Sequence, residues 1–136
     1  MTTFSASPSS GIGGGTADVS DTSDAQMITV EVTDHDGATV VSVAGEVDMV
    51  TTPRLNTCLQ EQLAQSPDRL IVDLSGLSFL GSSGLAVLVE SLDDARGRGT
   101  DLRLVCSSRE VVRPLEATGL TELFQTFPDL DSALAG

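Results

Sequence analysis

The sequence predicts a single α/β domain whose mixed, mainly parallel sheet begins with a β-hairpin and is packed against helices. The segment 27–33 alternates apolar and polar residues, as a half-buried strand does. After the turn sequence DHDG, the segment 38–47 returns as a second strand, so the two form a hairpin. The segments that follow alternate between helical and strand patterns, which is typical of parallel strands joined by helical crossovers. The 136 residues are enough for one domain with a sizeable core and too few for two.

The first helix and the strand after it have clear boundary signals. Thr51 or Thr52 is a suitable N-cap, and Pro53 fits the first position because its missing N–H would have no partner there. The residues that follow at helical spacing form one mainly apolar stripe: Leu55, Cys58, Leu59, Gln62 and Leu63. The segment SPD (66–68) ends this helix. Residues 69–77 then form a nearly unbroken apolar run, which predicts a strand covered on both faces.

The junction LSFLGSSGLAVLV (77–89) places two serines and two glycines between apolar runs. Apolar residues recur after the serines at the spacing of one helix face: Leu85, Leu88, Val89 and Leu92. Ser82 is the predicted N-cap of this helix, and the segment GRG (97–99) ends it. Three interpretations of the serine hydroxyls compete: a catalytic nucleophile, a helix cap, and a hydroxyl that another protein modifies.

The last elements are shorter. A strand is predicted over 101–106 and a helix over 108–119, in which Pro114 would introduce a kink or a break. A helical turn followed by a strand is predicted within 120–127. A short amphipathic helix over 129–136 ends the chain.

The N-terminal segment differs from the rest in composition. Residues 1–25 are mainly Ser, Thr, Gly and Asp without apolar periodicity, and they are predicted to be a disordered tail. The stretch GIGGGT (11–16) within it lacks the GK[ST] ending of a phosphate-binding loop and has no strand before it. The folded domain is therefore expected to span 26–136.

Charge and hydropathy limit the classes of partner. Twenty acidic residues stand against seven basic ones, all of them Arg, and the formal net charge is -13. Nucleic acids and anionic membranes are bound through Lys and Arg, so this balance argues against both and favours a partner with a basic face. No apolar run reaches the roughly 20 residues of a membrane span, and no signal peptide is visible. We therefore expect a cytoplasmic protein.

No catalytic or metal-binding motif is found. The GSSG segment lacks the G-x-S-x-G pattern of a nucleophile elbow, and the one histidine, His35, is expected to be exposed in the first hairpin turn. Cys58 and Cys106 are too far apart in sequence for a CxxC site and are expected to be small buried hydrophobic residues; the alternative is a regulatory disulfide between them. We expect neither enzymatic activity nor a bound cofactor or metal.

Three segments, in the correct order, resemble one known family. The segment IVDLSGLSFLGSSGLAVLV (71–89) is similar to the core motif of the STAS domain, as found in bacterial anti-sigma factor antagonists. The segment VVSVAGEVDMVTTPRL (40–55) is similar to the family's G-E-(L/V)-D segment and first helix, and residues 102–134 are similar to its closing strand and helices. The resemblance covers residues 26–135.

This resemblance implies a binding protein that is switched by phosphorylation. In the family, the serine after Asp in D-S-S-G is phosphorylated by the partner anti-sigma factor, which is also a serine kinase; the position corresponds to Ser82, with Ser83 as the alternative. The unphosphorylated antagonist sequesters the anti-sigma factor and frees the sigma factor for transcription, for example in a stress response. Phosphorylation breaks the complex and a serine phosphatase restores it. The implied partner-binding residues surround the serine: Asp48, Gly81, Ser82, Ser83 and Gly84.

One position departs from the family pattern. Gly81 stands where Asp is usual. The missing carboxylate removes a charge that would repel a phosphate and also a candidate kinase contact, and glycine is expected to add backbone freedom. The resemblance is therefore also compatible with a second function: a STAS module that serves as a scaffold or a small-ligand sensor without phosphorylation.

Overall fold

The computed structural model describes residues 28–35 and 37–135, so the tail predicted over 1–25 lies outside the described residues. The element order within them is β1 Ile28–His35, β2 Ala38–Val47, α1 Thr52–Leu63, β3 Arg69–Leu80, α2 Ser82–Arg98, β4 Asp101–Val105, α3 Arg109–Ala117, a 3₁₀ turn Leu120–Glu122, β5 Gln125–Phe127 and α4 Leu130–Ala135. This succession of strands and helices confirms the predicted one.

The five strands form one mixed sheet in the order β1-β2-β3-β4-β5. Strands β1 and β2 are antiparallel, with Ile28 opposite Gly45 and His35 opposite Ala38. Each later strand is parallel to the one before it, so the predicted hairpin and mainly parallel sheet are confirmed. The carboxyl ends of the parallel strands meet at one side of the sheet, which we call the carboxyl edge.

The helices cover the two faces of the sheet unequally. Helices α1, α2 and α3 pack on one face, against residues that include Val41 and Val72. Helix α4 packs on part of the other face, where Ala133 lies in a smaller core with Val40 and Ile71. Since side chains alternate across a strand, covering both faces requires apolar residues at consecutive positions. This two-sided cover explains the nearly unbroken apolar run of β3.

Two arginines hold α4 on the sheet. Arg69 Nη1 donates to the carbonyl of Leu134 at 2.7 Å, and Arg103 Nη1 donates to the carbonyl of Ala133 at 2.7 Å. The carboxylate of Asp101 lies 2.8 Å from Arg103 Nη2 and 3.7 Å from Arg69 Nε. Arg103 is buried, and its burial is tolerated because the charge has both a carboxylate and a carbonyl partner.

Strand β3 is longer than predicted. It continues to Leu80 rather than ending at residue 77, because Phe79 and Leu80 still pair with Glu46 and Val47. Two register shifts between β2 and β3 make this late pairing fit. The extension brings the end of β3 directly to the serine junction.

Two further boundaries differ from the prediction. Strand β1 runs to His35, so this residue ends the strand and is exposed there instead of lying in the turn. Helix α3 continues through Pro114, and the predicted break is absent. The one hydrogen bond that Pro114 removes would go to the carbonyl of Glu110 in the first turn, so the later turns keep theirs.

Candidate functional site

The serine junction lies at the carboxyl edge, where β3 ends and α2 begins. The N–H of Gly81 donates to the carbonyl of Val47 at 2.8 Å, which joins the end of β3 to the end of β2. The hydroxyl of Thr52, at the start of α1, lies 3.0 Å from that of Ser83 and donates to the carbonyl of Asp48. The fold therefore brings the G-E-V-D loop and the two serines together, as the predicted site requires.

The two serine hydroxyls have different environments. The Thr52 hydroxyl has a single proton, which it donates to Asp48, so Ser83 must be the donor in the Ser83–Thr52 hydrogen bond. Ser83 is also half-buried, whereas Ser82 is exposed. Within the described part of the chain no hydrogen bond engages the Ser82 hydroxyl. Of the two serines, Ser82 is therefore the one with an exposed hydroxyl that is not engaged in the fold.

The N-cap of α2 is Gly81 and not Ser82, so that prediction is wrong. Ser82 is the first helical residue, and no side chain caps the helix. The reason is the extension of β3 to Leu80, which leaves one residue between strand and helix. Gly81 has φ -88° and ψ 175°, an extended conformation that any residue adopts. The expected use of glycine's backbone freedom is therefore also wrong.

Gly81→Asp is expected to stabilise the domain. The new carboxylate can accept from the free N–H groups of the first turn and lies at the positive end of the helix dipole, a gain of about 0.5 kcal/mol. The added Cβ would lie 3.2 Å from Phe79 Cε2, and the half-exposed ring can yield. The thermal midpoint should rise by about 2 °C. Gly81→Ala is the control: it adds the same Cβ without a capping group and should lower the midpoint. Equal midpoints for the Asp and Ala variants would exclude capping.

Gly84 is a packing residue and is not accessible to a partner. It is buried, and a Cβ at this position would lie 2.5 Å from Val47 Cγ1 and 2.8 Å from Leu80 Cδ1. Gly84 was one of the implied partner-binding residues, and its burial leaves it no surface for a partner to contact. The absence of a side chain serves instead to let α2 approach the ends of β2 and β3 closely.

The carboxylate of Asp48 organises the loop between β2 and α1. Asp48 Oδ1 accepts from the N–H of Val50 at 2.9 Å and from the N–H of Thr51 at 3.0 Å. The Thr51 hydroxyl accepts from the N–H of Asp48 at 3.0 Å. The hydrogen bond from the Thr51 backbone contributes most to holding the pKa of Asp48 below its usual value. Asp48 is therefore ionised at neutral pH, and its side chain is engaged within its own loop.

Sequence reasoning did not identify a group of exposed apolar side chains around the serines. Met49, Val50 and Phe79 are 83%, 62% and 49% exposed, respectively. The other large apolar side chains exposed in the described ranges are Val32 and Leu123. The clustering of three at the carboxyl edge marks this surface as a candidate for contact with another molecule.

The two cysteines are free thiols in environments that disfavour reactivity. Burial is the main cause that raises the pKa of Cys58 to about 11, and burial also raises the pKa of Cys106. Since the thiolate is the reactive form, the raised pKa lowers the reactivity of each thiol at neutral pH. Within residues 28–35 and 37–135, no group of three or more His, Cys, Asp or Glu residues could hold a metal ion. No helix in those ranges is long and apolar enough to cross a membrane.

Comparison with known protein families gives a specific match. The model of the STAS domain matches residues 29–133. The chain belongs to the STAS domain family, and the resemblance seen in the sequence is confirmed.

Three similar proteins extend this result. The anti-sigma-F factor antagonist RsfB of Mycobacterium tuberculosis is 37% identical over 109 residues, which cover 80% of this chain and 88% of that protein. The anti-sigma-B factor antagonist of Listeria monocytogenes is 30% identical over 99 residues, covering 72% of this chain and 87% of that protein. A crystal structure of an anti-sigma factor antagonist from Mycobacterium paratuberculosis has a TM-score of 0.76 at 42% identity, covering 79% of this chain and 92% of the other.

Proposed function

We propose that this chain is an anti-sigma factor antagonist that binds an anti-sigma factor of the serine-kinase type and is switched by phosphorylation of Ser82. The observation that carries the proposal is the exposed, unengaged hydroxyl of Ser82 at the first turn of α2. The relatives named as anti-sigma factor antagonists support the class of partner.

The position of Ser82 suits a reversible modification. A phosphate there would lie beside the free N–H groups of the first turn of α2, where the helix dipole favours negative charge. The phosphate adds about -1.5 to -2 charge to a surface that must contact the partner. The modified chain is thus stable on its own but unsuited to the complex.

The proposed cycle follows from this difference. Unphosphorylated chain holds the anti-sigma factor and leaves the sigma factor free to direct transcription in the cytoplasm. Phosphorylation by the anti-sigma factor ends the complex, and a serine phosphatase regenerates the binding form. The net charge of -13 favours a partner with a basic face. It does not favour a nucleic acid or a membrane as a binding partner.

Mass spectrometry after incubation with ATP and an anti-sigma kinase encoded in the same genome tests the switch. One phosphate is expected on the peptide that contains Ser82, and none after Ser82→Ala. Ser83→Ala is the matched control and should still be phosphorylated. If the phosphate is found on Ser83, then Ser83 and not Ser82 is the switch. If neither serine is phosphorylated by any candidate kinase, the unphosphorylated scaffold replaces this proposal.

A further inference from the structure

We propose that Met49, Val50 and Phe79 form an apolar docking patch that the partner covers, and that Asp48 is the positioning residue that presents the Met49–Val50 part of it. The inference rests on the proposed function, since the partner meant is the anti-sigma factor. It adds the residues that supply the affinity for the partner, whereas the Ser82 hydroxyl is the group whose phosphorylation switches binding.

Both parts of the patch are connected to the residues that flank Ser82. Phe79 lies two residues before Gly81, and its ring atom Cε2 is 3.2 Å from where a Cβ on Gly81 would lie. Met49 and Val50 lie in the loop that the Thr52–Ser83 hydrogen bond ties to the first turn of α2. A partner that reaches Ser82 therefore meets these apolar side chains as well.

The contact of these apolar side chains with water is energetically unfavourable unless another molecule covers them. Removing apolar surface from water contributes about 25 cal/mol per Å², and a few large side chains near the centre of an interface supply most of its affinity. Met49 is 83% exposed and Val50 is 62% exposed. The apolar patch therefore has the composition of an interface centre.

Charge identifies the occupant as a protein with a basic rim. The exposed side chain of Glu46 and the ionised Asp48 lie beside the patch, and the chain has a net charge of -13. If a second copy covered the patch, the acidic side chains of the two copies would face and repel each other. An anionic membrane would be repelled for the same reason. A partner surface that is apolar at its centre and basic around it complements both the apolar patch and the acidic side chains beside it.

The role of Asp48 is to hold the loop. Its Oδ1 atom accepts from the backbone N–H groups of Val50 and Thr51, so these hydrogen bonds fix the turn that exposes Met49. An amide oxygen can accept the same two hydrogen bonds without the charge. Asp48→Asn should therefore preserve the patch, whereas Asp48→Ala should release the loop.

Binding measured by calorimetry, with an anti-sigma factor that the wild-type chain binds, tests the patch. Phe79→Ser and the double variant Met49→Ser/Val50→Ser should each raise Kd about tenfold or more. Val32→Ser and Leu123→Ser are the controls, because they remove the other exposed large apolar side chains of the described residues, which lie away from the carboxyl edge. Val32 pairs with Val41 in the first half of β2, and Leu123 precedes β5. The controls should stay within about twofold of wild type. Thermal midpoints verify that every variant folds.

The Asp48 variants test the positioning role in the same assay. Asp48→Ala should raise Kd about tenfold and Asp48→Asn less than about threefold. Amide exchange at Val50 and Thr51 should accelerate in the Ala variant only. If Asn weakens binding as much as Ala, the carboxylate contacts the partner itself and the positioning role is wrong.

The outcomes separate this inference from the proposed function. If wild type binds but the patch variants bind as tightly as the controls, the docking patch is wrong and the proposed function stands. If wild type binds no anti-sigma factor, the proposed function fails, and the patch as assigned here fails with it. If the wild-type chain dimerises in sedimentation and the patch variants are monomers, a second copy is the occupant and the charge argument is overturned.

Discussion

Ser82→Glu is expected to weaken binding of the anti-sigma factor by roughly a hundredfold or more, while Ser82→Ala binds as tightly as the unmodified chain. A charge that is buried in an interface without a counter-ion costs about 2–5 kcal/mol, and each 1.4 kcal/mol is about a tenfold change in Kd. The exposed position of Ser82 means that the free chain tolerates Glu, so the loss appears only in the complex. Calorimetric titration of both variants measures the difference.

Ser83 provides the matched control for this prediction. Ser83→Ala removes the hydrogen bond to Thr52 but adds no charge, and it should change Kd by less than about threefold. Equal affinities for the Glu and Ala variants at residue 82 would rule out charge as the switch. The thermal midpoint of each variant should be recorded, since a loss of binding through unfolding would be a different result.

Gly84→Ala is expected to destabilise the domain by about 1–3 kcal/mol, because its Cβ would overlap two core side chains. Val47 is fully buried and Leu80 is 3% exposed, so neither can move aside into solvent. The change therefore forces α2 away from the ends of β2 and β3. Thermal unfolding should show a midpoint lower by roughly 5–10 °C.

Gly97→Ala makes the same chemical change near the end of the same helix. Apart from its chain neighbours and the backbone of its own helix, no atom lies within 4 Å of a Cβ there. The expected effect is therefore the better helix propensity of Ala, a gain of about 0.5 kcal/mol. The substitution by Ala should thus lower the thermal midpoint at Gly84 and raise it at Gly97. A midpoint for Gly84→Ala at or above wild type would show that the close approach at Val47 is relaxed in solution.

The fold could be predicted because its signals are local. The strand predicted over 38–47 matches β2 without change, and the helix signals at Pro53 and Gly99 lie within one residue of where α1 begins and α2 ends. Periodicity and capping depend on neighbours a few residues away, and the sequence contains these neighbours in order.

The junction itself depends on residues far apart in the chain. The end of β3 at Leu80 is set by pairing with Val47 after two register shifts, and this pairing moves the cap from Ser82 to Gly81. A local pattern contains no information on such shifts. For the same reason the sequence could not show that Gly84 is buried, since the contact is with Val47 in another strand.

The candidate site was only partly accessible to sequence reasoning. The family resemblance, and not spacing, placed Asp48 beside the serines. Apolar residues such as Met49 and Phe79 predict burial by default, so their exposure could be found only once the loop and the strand end had positions. Arg103 is the converse case: a charged residue in a strand predicts exposure, but α4 covers it and supplies one of its partners, the carbonyl of Ala133.

The order in which the strands lie in the sheet bears on how the chain folds as it is made. Each strand lies beside the one before it in sequence, so each pairing closes only a short stretch of chain and loses little loop entropy. Pairing between consecutive strands keeps the contact order low for a parallel sheet, and synthesis begins at the N-terminus. The segments that bear Asp48 and Ser82 leave the ribosome before β4, β5 and α4. The carboxyl edge around Asp48 and Ser82 can therefore begin to assemble before β4, β5 and α4 have left the ribosome.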